Sequence, residues 1–176
     1  VLELEPEQKD GGISCDTLKG EVEFRNVTAR YAGAAEASLE HISFHAKPGQ
    51  MVGVIGGTGS GKTTLVNLIP RLYDAAEGEV LIDGIPVGQY RMEELKKCIG
   101  IVPQKAVLFK GTVRQNLLWG NENASDNDLW QALETAQARE VVKDKEGELD
   151  ATVEQGGVNF SGGQRQRLTI ARALVR

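Results

Sequence analysis

From Glu21 to Val27 apolar and polar residues alternate, with Val22 and Phe24 on one face, and this period of two predicts a strand. Ile42-Ser43-Phe44-His45-Ala46 repeats the pattern, and Lys47-Pro48-Gly49 closes it with a turn signal. Met51 to Ile55 is different: a short, continuous apolar run, the pattern of a strand buried on both faces. It runs into a glycine-rich stretch. Beyond Lys62 the apolar residues Leu65, Leu68, Ile69 and Leu72 recur at i, i+3, i+4 and i+7, which predicts an amphipathic helix. Val80-Leu81-Ile82 followed by Asp83-Gly84 reads as a strand and a tight turn. Met92 to Cys98 reads as a short helix, and Ile99 to Val102 as a second buried strand that stops at Pro103. From about Lys105 the texture becomes polar and helical. Ser125 with Asp128 resembles a capping box, and Leu129, Leu133 and Ala136 share one side of the helix that follows. A last helix is capped by Ser161 and carries Leu168, Ala171 and Val175 on one stripe. Residues 1–20, acidic and interrupted by Pro6 and Asp10-Gly11-Gly12, read as a linker.

Composition narrows the picture without settling it. The chain has 176 residues, 40% hydrophobic and 26% charged, the profile of an ordinary globular protein. Its net charge of -5 leaves no basic surplus of the kind that nucleic-acid partners require, so none is expected. No apolar run approaches the roughly 18 residues needed to cross a bilayer. Two cysteines, Cys15 and Cys98, stand too far apart in sequence to suggest a disulfide framework or a zinc site, and are expected as reduced thiols. His41 and His45 have no carboxylate or cysteine cluster in their neighbourhood and read as packing or solvent-facing residues.

The chemistry concentrates where the buried run meets the first amphipathic helix. Gly56-Gly57-Thr58-Gly59-Ser60-Gly61-Lys62-Thr63-Thr64 contains a complete Walker A pattern, and its setting between strand and helix is the one that motif needs. Glycines let the backbone wrap closely around a phosphate chain, where side chains would collide. Inward-turned amides and the positive end of the helix dipole then favour an anion. Lys62 supplies a mobile charge for the β- and γ-phosphates, and the Thr63 hydroxyl is a ligand for Mg²⁺. Kinases, GTPases, helicases and motors share this loop, so it does not by itself name a reaction.

Phe160-Ser161-Gly162-Gly163-Gln164 narrows the choice. It places a serine cap and two glycines at a helix start, a second anion site. In combination with the Walker A pattern it resembles the signature of ABC transporter nucleotide-binding domains, with Phe in place of the usual first Leu. The stretches Val102 to Phe109, Gly111 to Leu117 and Ala151 to Gly157 resemble the exporter branch; the last of these departs from the commoner Glu-Arg-Gly wording with Gln155-Gly156-Gly157. The resemblance runs from about Glu21 to Arg176.

It implies an α/β fold: a P-loop NTPase core with a mixed sheet and an N-terminal antiparallel β subdomain, plus a helical subdomain. Residues 1–20 would be the linker from a membrane domain, 21–104 the ATP-binding core, 105–160 the helical subdomain and 161–176 the signature helix. The cofactors implied are ATP and Mg²⁺. ATP would contact Tyr31 through its adenine and Gly56 to Thr64 through its phosphates, with Gln104 joining the cofactor site at Mg²⁺ and the attacking water. Thr63 and Gln104 would reach the metal, Gln104 assisting catalysis. Ser161, Gly162, Gly163 and Gln164 would act in trans on the ATP of a second nucleotide-binding domain, with a transmembrane domain as the other partner, at the cytoplasmic face of a membrane. In such a family the signature helix leads into Walker B, the catalytic Glu and the switch His. The chain is therefore expected to be truncated before them, to bind ATP with little turnover, and to be marginally stable, Met51 to Ile55 losing a neighbouring strand. Three other readings remain open on sequence grounds: an ABC protein acting on DNA or ribosomes, an unrelated P-loop kinase or GTPase, and a domain that binds ATP without cleaving it.

Overall fold

The computed structural model describes residues 10–15, 17–31, 33 and 36–175, which fall into two compact units that divide after Ile99. Half of the expected linker, residues 1–9 and 16, lies outside the described residues.

The first unit is built on an antiparallel sheet. Its strands are β1 (Val22–Ala29), β2 (Leu39–Ala46), β3 (Glu77–Ile82) and β4 (Ile85–Pro86), in the order β2-β1-β3-β4. Two helices accompany it, α1 (Lys62–Leu68) and α2 (Met92–Cys98). Register places Phe24 opposite both Phe44 and Val80, and the two phenylalanine rings stack with centroids 4.5 Å apart. The alternation of β1 does not persist along its whole length. Asn26 takes a positive φ of 49°, its amide donates to the Ser43 hydroxyl, and the register shifts between Phe24 and Val27. A second register shift follows between Val27 and Ala29, and Val27, Thr28 and Ala29 are all buried in succession. Asp83 and Gly84 both have positive φ and form the tight turn between β3 and β4. The Asp83 carboxylate also accepts from the amides of Lys19 and Glu21. Leu65 and Leu68 of α1 join Phe24, Val27, Val80 and Ile82 in the core.

Residues 10–15 lie along the segment that enters α2. Gly11 and Ile13 donate to the carbonyls of Tyr90 and Gln89, Arg91 donates to the Ile13 carbonyl, and the Met92 amide donates to the Asp10 carboxylate. The Cys15 amide ends the series on Glu94, 2.9 Å away. This amide, the Ser14 side chain and Arg91 hold the Glu94 carboxyl below the usual carboxylate range, with the Ser14 hydrogen bond the largest cause.

Three expectations are corrected here. Met51 to Ile55 is not a strand, and its ends are among the most exposed apolar residues of the chain, Met51 at 96% and Ile55 at 99%. Ile99 to Val102 also lies outside any strand, with Ile101 and Val102 exposed. The reason is common to both. An apolar run supplies side chains for a buried strand but not the ladder partner that its N–H and C=O groups need. Among the described residues neither segment has one: the sheet of this unit pairs β1 to β4 with each other alone. The helix after the glycine loop is also shorter than its periodicity indicates, ending at Leu68 just before Pro70, which leaves Leu72 exposed.

The second unit is mostly helical, as its texture indicates. It contains β5 (Gly111–Thr112), α3 (Val113–Leu118), α4 (Asp126–Thr135), α5 (Arg139–Lys143), β6 (Thr152–Val153) and α6 (Gly162–Leu174). β5 pairs antiparallel with β6. Full capping boxes start three of the helices: Thr112 with Gln115, Ser125 with Asp128, and Ser161 with Gln164. Leu129 and Leu133 of α4, with Ala136 just after it, meet Leu168 and Ala171 of α6 around Val113, Leu117 and Phe160. The buried Asn116 ties the loop before β5 in place, bonding both the amide and the carbonyl of Phe109 and the carbonyl of Thr112.

Candidate nucleotide-binding site

The glycine loop delivers the chain into α1 through Gly61, which sits at φ 81°, ψ 4° as the N-cap residue and accepts from the Leu65 amide at 2.9 Å. A side chain is excluded there on two counts. The conformation is left-handed, and a Cβ would overlap the Ser38 carbonyl oxygen and come within 2.7 Å of a Leu39 methyl. The loop is therefore pressed against the start of β2.

Lys62 turns back over the loop. Its ammonium donates to the carbonyls of Gly56 at 2.8 Å and Gly57 at 2.5 Å and to the Ser60 hydroxyl at 3.2 Å. A single cation thus draws three groups from both ends of the loop around one point. Thr58, Ser60 and Thr63 are exposed, whereas Thr64 is buried beneath the helix start. Tyr31 reaches this position from beyond β1. Its hydroxyl lies 2.8 Å from the Thr64 hydroxyl, and Tyr73 meets its ring edge-on at 5.2 Å. These two contacts fix a ring that stays 41% exposed. Tyr73, which the sequence does not single out, is thus part of the mounting.

Gln104 and residues 161–164 belong to the second unit. Gln104 is exposed in an irregular segment after α2. Ser161 is the N-cap of α6, accepting from the Gln164 amide, while the Gln164 side chain accepts from the Ser161 amide at 2.8 Å. Gln164 thereby acquires a structural task that its place in the motif hides, although a serine followed three residues later by glutamine is the signal for it. Phe160 is buried under the Lys145 ammonium, and Arg165 donates to the Phe160 carbonyl at 2.6 Å, so the turn before the helix is held from both sides. Gly162 and Gly163 face outward. A Cβ on Gly163 would meet nothing within 4 Å, and one on Gly162 only the tip of Arg165 at 4.0 Å.

His41 bonds Asn26 and His45 bonds Glu21, both on the exposed side of the sheet. Among the described residues there is no cluster of His, Cys, Asp or Glu able to hold a metal ion, and no helix long and apolar enough to cross a membrane.

The family model described as ABC transporter matches residues 39–176, which takes in both motifs. The chain belongs to the ABC transporter family. It is 44% identical over 176 residues to an uncharacterised ABC transporter ATP-binding protein, YfiB, of Bacillus subtilis, covering all of this chain and 31% of that one. It is 39% identical over 177 residues to the ATP-dependent lipid A-core flippase of Haemophilus influenzae, covering 100% of this chain and 30% of the flippase. Among solved structures, a bacterial Atm1-family ABC exporter with ATP bound superposes with a TM-score of 0.85 at 31% identity, over 98% of this chain and 29% of that one. The ABC chain described here thus spans under a third of the length of these relatives. The α/β fold of the P-loop NTPase type follows from these likenesses; an unrelated kinase or GTPase does not.

Proposed function

We propose that this chain is the ATP-binding part of a multidrug- or lipid-type exporter, and that Mg-ATP binds with its phosphates on residues 56–64. The observation that carries the reading is the Lys62 ammonium held over the glycine loop by Gly56, Gly57 and Ser60. A phosphate oxygen is a stronger, charged acceptor than the two carbonyls it would replace, so the same ammonium serves a triphosphate without moving far. Tyr31, oriented by Thr64 and Tyr73, offers its exposed ring to the adenine.

The protein donors for Mg²⁺ would be the Thr63 hydroxyl and the Gln104 side-chain oxygen. Both are hard, neutral oxygens, a donor set that suits an ion which keeps several waters and takes its remaining ligands from phosphate. When bound, the ion neutralises phosphate charge.

Residues 161–164 would serve a second nucleotide-binding domain, either another copy or a homologue, packed head to tail. The packing of this chain gives no reason for glycine at 162 and 163. Close approach by a phosphate from outside the protomer does give one. ATP would then favour the closed pair by binding it better than the open pair, and closure would drive transmembrane helices at the cytoplasmic face of the membrane. None of the residues assigned to ATP is a general base, a group that contributes about 10²–10⁴-fold. The 176-residue chain is accordingly expected to hold ATP and release phosphate slowly; release as fast as that of an intact exporter would overturn this.

The direct test is calorimetric titration of ATP into the wild-type chain and Lys62→Ala, with circular dichroism to verify folding. Affinity should fall by about tenfold or more, the worth of a charge-assisted contact. Equal affinity would remove the basis of the proposal.

A further inference from the structure

Cys15 and Cys98 are 83 positions apart in sequence, yet their sulfurs lie 3.2 Å from each other, within hydrogen-bonding range. The Cys98 thiol also contacts the Cys15 carbonyl at 3.3 Å. The sulfurs are not covalently joined. Their meeting is built in from both sides. Cys98 is the last residue of α2, and Cys15 is the last of a run that hydrogen-bonds to residues 89–94 through Gly11, Ile13 and its own amide. Cys15 is buried and Cys98 is half-buried.

We propose that this pair is a redox-responsive clamp, in which a low-molecular-weight disulfide such as oxidised glutathione converts Cys15 and Cys98 into an intramolecular disulfide that fastens residues 10–15 to α2. Cys98, the more accessible sulfur, enters first. Its thiolate attacks one sulfur of the oxidant, forming a mixed disulfide and releasing one thiolate. The Cys15 thiolate then attacks Cys98 Sγ, forming the Cys15–Cys98 bond and expelling the second thiolate. The two protons given up by the protein thiols are taken up by the two released thiolates. The protein is oxidised by two electrons and the small disulfide is reduced to two thiols.

The geometry favours the second step over a lasting adduct. A disulfide spans about 2.05 Å, so the sulfurs must close by about 1.1 Å, a shift of the size that a change in χ1 supplies while the hydrogen bonds along 10–15 hold the backbones together. In the reduced state only non-covalent contacts retain the segment, and a segment so held can open locally. The bridge removes that opening. The bridge would tie residues 10–15 to the C-terminal end of α2. The clamp itself does not depend on the nucleotide reading, and it can fail or hold whatever the outcome with Lys62→Ala.

The test equilibrates the chain in native buffer with excess oxidised over reduced glutathione, quenches in acid, alkylates residual thiols and maps peptides without reduction. The expected product is one crosslinked peptide pair holding Cys15 and Cys98, two hydrogens lighter than its parts. Amide exchange at Gly11 and Ile13 should slow by about tenfold or more in that species and recover when reductant is added. Cys15→Ser should instead carry glutathione on Cys98 with no slowing; Cys15→Ala serves if the serine is not tolerated. Both thiols remaining open to alkylation, two separate glutathione adducts, crosslinks between chains only, or a bridge that leaves Gly11 and Ile13 exchange unchanged would each overturn the proposal.

Discussion

Gly59 and Gly61 provide an internally controlled test of how the phosphate loop is held. Their φ angles are 82° and 81°, so alanine meets the same left-handed conformation at both. That conformation costs about 1–2 kcal/mol, offset by about 0.4–1 kcal/mol because alanine also restricts the unfolded chain. Gly59→Ala should therefore destabilise the first unit by about 1 kcal/mol, since its Cβ would meet nothing within 4 Å. Gly61→Ala carries the same cost plus a collision with the Ser38 carbonyl and the Leu39 side chain. Backbone cannot rotate away as a side-chain tip can, so overpacking of about 1–3 kcal/mol is added. The assay must report on the correct unit. Both tryptophans, Trp119 and Trp130, lie in the second one, so their fluorescence would miss the change. Native-state hydrogen exchange at the amides of β1 and β3 reads it directly, and exchange at Leu65, which donates to Gly61, reads the helix start. Equal protection in the two alanine variants would refute the claim that contact with Ser38 and Leu39 seats the loop.

Three further substitutions, at two positions, test the remaining parts of the site. Tyr31→Phe removes the bond to the buried Thr64 hydroxyl and should cost about 1 kcal/mol of stability while keeping most ATP affinity, whereas Tyr31→Ala should lose about five- to tenfold in calorimetric affinity if the ring carries the adenine. Ser161→Ala removes one arm of the capping box and should lower the stability of the second unit by about 1 kcal/mol, followed by tryptophan fluorescence in urea, yet on the proposed head-to-tail arrangement it should leave ATP affinity of the single chain unchanged. Weaker binding to the isolated Ser161→Ala chain would place the signature in cis and contradict the head-to-tail arrangement.

The parts of this molecule that can be read from the sequence are those whose physics is complete within a few residues. The Asp83-Gly84 turn, the Ser125 cap and the strand of alternating residues at Val22 and Phe24 each contain their own cause. The Ser161–Gln164 capping box belongs to the same class and was equally available, hidden only because the motif's resemblance offered another role for Gln164. What the pattern does not carry is pairing at a distance. Met51 to Ile55 has the composition of a buried strand and no described partner, while Cys15 and Cys98, dismissed by their separation, are brought together by hydrogen bonds between segments that no periodicity links. The nucleotide site combines both kinds of specification. Its glycines and Lys62 are spelled out in one contiguous stretch, but the seat of that stretch on Ser38 and Leu39 and the mounting of Tyr31 on Thr64 and Tyr73 are set by the fold. The P-loop pattern is therefore legible in the sequence, and the residues that decide how firmly the loop is held are found only when the sheet beside it is in place.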